Sequence, residues 1–114
     1  AERRQARDLL DSSHSSARAA QQAIGDFVAL VNGEGFKKAM EGDGPKHIES
    51  VRANLRQFEG TGLKLAGLMA KTQDDQINNL EWHVNKMADS LILQIDTVDG
   101  AIRKIDPEFS LDQE

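Results

Sequence analysis

The sequence predicts an all-α chain folded as an elongated antiparallel up-down helical bundle: three long helices and a short extra turn. Three observations carry that expectation. In the last third, Ile77, Leu80, Val84, Met87, Leu91, Ile95, Val98, Ile102 and Ile105 recur at spacings of three and four, with mostly polar residues between them. That is the apolar stripe of an amphipathic helix. Two further segments carry the same periodicity, and the three are nearly equal in length. The breaks between them fall on clustered Gly, Asn and Pro. The chain has 114 residues, 39% of them apolar and 29% charged, with two prolines and no tyrosine or cysteine. This composition suits one surface-rich helical domain spanning 1–114.

The first helix is expected over about 2–31, with a seam of Ala6, Leu10, Ser13, Ala17, Ala20, Ile24, Phe27 and Val31. Asn32-Gly33 and then Gly35 stop it, because glycine takes a left-handed cap at least cost. Residues 36–41 have room for a short helical turn with Phe36 and Met40 facing inward. Gly42-Asp43-Gly44-Pro45 is a second break, and Pro45 suits the first turn of a new helix. That helix, over about 45–70, has the seam Ile48, Val51, Leu55, Phe58, Gly62, Leu65 and Met69. Its register persists through Gly60, Gly62 and Gly67, each costing about 1 kcal/mol relative to Ala. A distorted but continuous rod is therefore expected across Gly60-Thr61-Gly62. Thr72-Gln73-Asp74-Asp75 has the pattern of a capping box with Thr72 as cap, which opens the last helix over about 74–105. Asp106-Pro107 ends it, leaving a short acidic tail over 106–114. The expected core is Leu10, Ile24, Phe27, Val31, Val51, Leu55, Phe58, Leu65, Leu80, Val84, Met87, Leu91, Ile95, Val98 and Ile102. Trp82 is expected as a core or interface anchor.

Short connections between matched rods imply antiparallel packing, either complete in one chain or finished to four or more helices by self-association as a homodimer. Antiparallel folding places Ser13, Ala17 and Ala20 level with Gly60 and Gly62, with Ala88, Asp89 and Ser90 at the same height. The waist is thus lined by small residues. Two readings follow: close helix contact, or a groove for a ligand or partner involving Ser13, His14, Ala17, Arg18, Gly60 and Gly62. Close contact predicts that the Ser13 hydroxyl bonds the carbonyl four residues back.

The net charge of −5 argues against nucleic acid or an anionic membrane as the main partner, since phosphate binding needs clustered Lys and Arg. Arg3, Arg4 and Arg7 make the start basic, whereas Asp89, Asp96, Asp99, Asp106, Glu108, Asp112 and Glu114 face only Arg103 and Lys104. Without cysteine there is no disulfide, thiolate or Cys-ligated metal chemistry, and a cysteine-free chain suits cytosol and periplasm alike. No apolar run approaches the roughly 20 residues that span a bilayer, so no direct membrane insertion is expected of this segment. The chain starts inside charged helical sequence, which reads as a portion of a longer protein.

The catalytic inventory is thin, and no cofactor and no enzyme activity are expected. His14, His47 and His83 are spread one per segment, with no i, i+4 pair and no HExxH, which points away from a metal site. The glycines follow no strand, so no phosphate-binding fingerprint is present. His14-Ser15-Ser16-Ala17-Arg18-Ala19-Ala20 places a histidine among small residues with a cation one turn on. This segment resembles histidine phosphotransfer domains, which are helical bundles of similar size, and the resemblance implies His14 as phosphoacceptor. It departs from their pattern where a basic residue followed by Gly is expected and Ala17-Arg18 stands. The leading functional expectation is a non-enzymatic binding module. It would serve protein–protein interaction or be the ligand-sensing bundle of a larger signalling or receptor protein, similar in architecture to the sensory bundles of bacterial chemoreceptors. Its partner would be another protein or a second copy, with a small-molecule ligand as the other option.

Overall fold

The computed structural model describes residues 1–113, so the last residue of the expected tail, Glu114, lies outside the described residues. Four helices follow in order: α1 (Glu2–Glu34), α2 (Phe36–Glu41), α3 (Gly44–Thr72) and α4 (Asp75–Ile102). Among the described residues there is no strand. The three long helices form an up-down-up bundle of 50 × 20 × 20 Å. A radius of gyration of 16.4 Å exceeds the roughly 13 Å of a compact domain of this length. At 1.5 Å per residue, α1 alone spans about 50 Å and sets the long axis.

Each break has a local cause. Gly35, at φ +88°, takes the positive φ that ends α1, three residues beyond the expected stop. Gly44 closes the turn between α2 and α3, where a β-carbon would stand 2.6 Å from the Ala39 carbonyl oxygen. α3 runs unbroken through Gly60-Thr61-Gly62. The expected Thr72 cap is not used. Thr72 Oγ1 instead donates back to the Leu68 carbonyl at 2.9 Å, and Gln73 turns left-handed at φ 52°. Asp74 becomes the cap, its Oδ1 accepting from Gln76 N at 2.9 Å. An aspartate there also meets the Arg3 guanidinium at 2.8 Å, which ties the start of α1 to the α3–α4 turn.

The helices do not pack equally. α1 and α3 lie closest, because Ala6, Ser13, Ser16, Ala17, Ala20 and Ala23 bury their small side chains along α1. Ser13 is fully buried, and its Oγ lies 2.9 Å from Thr61 Oγ1 across the interface, not on the carbonyl four residues back. Thr61 Oγ1 is also 2.9 Å from the Phe58 carbonyl. A carbonyl can only accept, so Thr61 donates to it and accepts the Ser13 proton. Ser16 is buried with its hydroxyl unpaired. This polar belt separates two apolar clusters. One holds Phe27, Val51, Phe58, Leu91, Ile95 and Ile102; the other holds Ala6, Leu65, Leu68 and Ile77.

α4 joins the waist only in part. Asp89 and Ser90, expected at the small-residue contact, are exposed, and Ala88 is half-buried. Several expected core residues, Leu10, Val31, Leu55, Leu80, Val84, Met87 and Val98, are likewise half-buried, because α4 lies over the α1–α3 pair without sinking between them. Trp82 is 60% exposed, not a core anchor; its ring carries Lys86 Nζ 5.5 Å from the centroid. α4 ends at Ile102, and Ile105, the last residue of the expected seam, is exposed. The largest departure is the tail. Phe109 and Leu111 are buried, and Phe109 stacks on Phe27 at 5.9 Å and meets Phe36 edge-on at 5.7 Å. The acids around them hid two core residues.

Candidate functional groove

Because α1 and α3 approach closely and α4 rides above them, a groove opens on each flank of α4. The α1/α4 groove holds a hollow of about 620 Å³ lined by Gln21, Ile24, Gly25, Val28, Ala29, Asn32, Leu93, Gln94, Thr97 and Val98. A second hollow of about 170 Å³ continues it through the shared Val28, Asn32, Thr97 and Val98 to Phe27 and Ile102. The floor is apolar: Ile24, Val28 and Val98. The rim is amide and hydroxyl: Gln21, Asn32, Gln94 and Thr97. Leu93 stands at the edge, 68% exposed. Gly25 widens the groove, since a β-carbon there would meet nothing within 4 Å. From Gln21 to Asn32 the groove follows α1 for about 16 Å, or three helical turns.

The α3/α4 groove is shorter. Its hollow of about 370 Å³ is lined by Gly62, Leu63, Leu65, Ala66, Met69, Val84 and Asn85, with Glu59 and Glu81 on the rim. Leu63 beside it is 75% exposed. The volume falls within the range of small-molecule sites, and both charged residues on its rim, Glu59 and Glu81, are acidic.

The six residues expected to line one groove fall in different places. Ser13 and Ala17 are buried in the α1–α3 contact, so close packing accounts for that part of the waist. Gly62 belongs to the α3/α4 groove, and a β-carbon there would sit 3.9 Å from Val84 Cγ1, an ordinary contact. Gly60 faces open space. His14 is half-buried and Arg18 exposed; their spacing puts them on the helical row that continues to Gln21 and Gly25, at the end of the α1/α4 groove. The reading from sequence did not include Leu93, which lies off the α4 seam. The signal was there in Ile92-Leu93, two large apolar side chains outside the seam, both more than half exposed.

Among the described residues, no three His, Cys, Asp or Glu side chains are arranged to hold a metal ion, and no helix is long and apolar enough to cross a membrane. Among the described residues one titratable side chain is buried, Asp99, whose Oδ1 accepts from Leu111 N at 2.8 Å. Burial pushes its carboxyl above the usual aspartate range, while the Leu111 hydrogen bond and the Arg103 guanidinium oppose the rise. It faces the end of the bundle, away from both grooves. Comparison with protein-family models, with curated proteins and with solved structures returned no match.

Proposed function

We propose that this chain acts by binding rather than by catalysis, as a helical-bundle module that receives an amphipathic helix of a partner protein in the α1/α4 groove. The observation that carries the reading is the groove itself: three turns long, with Ile24, Val28 and Val98 as its apolar floor, an uncharged hydrogen-bonding rim, and Leu93 left in solvent at its edge. A helix laid there would bring the three-rod bundle to four, covering the half-exposed Val28 and Val98 and the exposed Leu93 as a helix-in-groove contact. The occupant's anchors would be aliphatic, spaced at three and four residues, with Gly25 giving its backbone or a large side chain room to approach. A signalling or receptor parent fits this reading, because small shifts of long helices over a loosely held α4 would transmit occupancy along the bundle.

Two variants test it. Leu93→Glu places a charge at the groove edge, and Gly25→Leu fills the groove from a position with free space around it. Both should leave thermal stability within about 0.5 kcal/mol or raise it. Burying a leucine is worth about 1.5–3 kcal/mol, so partner affinity should fall at least about tenfold. Retained affinity in both variants would refute the groove as the binding surface. Sedimentation equilibrium of the isolated chain separates a second copy from a different protein as the source of the helix.

A further inference from the structure

The segment after α4 is held in a way that differs from the rest of the fold. Its backbone pairs only locally, Asp106 N to Ile102 O and Phe109 N to Asp106 O. Every hydrogen bond that fastens residues 109–113 to the bundle comes from a side chain. Arg52 Nη2 donates to the carbonyls of Ser110 at 3.1 Å and Gln113 at 2.6 Å. Arg103 Nε donates to the Phe109 carbonyl at 2.8 Å, and Leu111 N donates to the buried Asp99 carboxylate. Phe109 and Leu111, two residues apart, fill apolar sites at the end of the core. Anchored apolar side chains together with hydrogen bonds to the backbone are the elements by which a protein binds a short peptide, here one folded into turns.

The fit is also incomplete. Arg52 Nε is buried without a partner. Beside it a hollow of about 430 Å³ remains between the segment and α2–α3, lined by Met40, Pro45, Ile48 and Arg52. Arg52 and Arg103 reach the segment through its backbone carbonyls. The Arg103 charge is met by Asp99 of the bundle itself, 3.6 Å away, so the socket reads the backbone and the two apolar anchors. We propose that the end of the bundle is a peptide-docking socket, that residues 106–113 occupy it as a tethered ligand, and that it accepts in trans a peptide with the same Phe-x-Leu spacing. This site is separate from the α1/α4 groove and stands without it.

The probe is a fluorophore-labelled synthetic peptide with the sequence of residues 105–114, titrated into the full chain. In the Phe109→Ala/Leu111→Ala variant, the tethered segment loses both anchors and the peptide should bind saturably. Wild type should bind it at least about tenfold more weakly, because the tethered segment competes at an effective concentration near millimolar. A peptide lacking the phenylalanine should not bind. A variant that keeps its helical circular dichroism yet binds no peptide would overturn the proposal. Hydrogen exchange on wild type gives a second test that needs no variant. The Leu111 amide should exchange at least about a hundredfold faster than the Leu91 and Ile95 amides, through release of the segment alone. Equal rates would mean that it leaves only with global unfolding, which would overturn the proposal as well.

Discussion

Replacing Ala17 by Leu probes the contact on which the whole arrangement rests. Ala17 is 4% exposed in the tight α1–α3 face, one turn from the buried Ser13–Thr61 hydrogen bond. Three added carbons have no space there, and overpacking of this kind costs about 1–3 kcal/mol. Unfolding entropy near 2.1 cal/mol/K per residue makes 1 kcal/mol about 4 °C for a chain of this length, so the melting temperature should fall by about 4–12 °C. Gly62→Leu is the internal control. It adds a larger side chain at nearly the same height but into the open α3/α4 groove, 3.9 Å from Val84, and relieves the helix of a glycine worth about 1 kcal/mol. Its melting temperature should hold or rise. Thermal melts followed by circular dichroism at 222 nm measure both. Equal losses in the two variants, or none for Ala17→Leu, would refute a bundle with one tight helix pair and one loosely laid helix.

Other expectations concern single positions. Gly44→Ala should destabilise, because its β-carbon would press on the Ala39 backbone, whereas Gly60→Ala should gain up to about 1 kcal/mol in open space; urea titration reads both. Ser16→Ala should raise stability, since it removes a buried hydroxyl that has no partner and whose burial costs about 1–3 kcal/mol. Asp99 sets a pH dependence. Its folded pKa lies above the unfolded one, so its contribution is fully present below the ordinary aspartate value near 3.9 and is lost as pH rises through the raised folded value. Relative to Asp99→Asn, wild type should therefore weaken as pH climbs through that window; a difference that is flat or runs the other way would contradict the burial assigned to Asp99. Asp74, lowered by the hydrogen bond from Arg3, acts in the opposite sense, with its contribution lost on acidification.

The architecture was legible because periodicity and breakers agree. Apolar residues at three- and four-residue spacing mark each rod, and Gly35 and Gly44 sit where the chain must turn. The glycine pair at 60 and 62 did not break α3, because flanking Phe58, Thr61 and Leu65 bury a continuous face. The tail was not legible: Phe109 and Leu111 are spaced by two, among acids, after a proline, which carries no helical signal. The segment that carries them is fastened by Arg52 of α3, Asp99 of α4 and Arg103 just beyond the end of α4. The groove was legible only in outline. Small residues predicted that something unusual happens at the waist, but not that Ser13 and Ala17 would face α3 while the opening formed along α4. That distinction depends on how α4 rotates over the pair, which one seam does not determine.

The groove reading is tested most directly by placing a photo-crosslinking amino acid at position 93 and, as a control, at the exposed Lys64 on α3. Irradiation in extracts of the native source should give a discrete adduct from position 93, with the cross-linked partner residues spaced at three and four along one segment, and none from position 64. No adduct at 93, or the same adducts from both positions, would contradict the assignment of the α1/α4 groove as the binding surface.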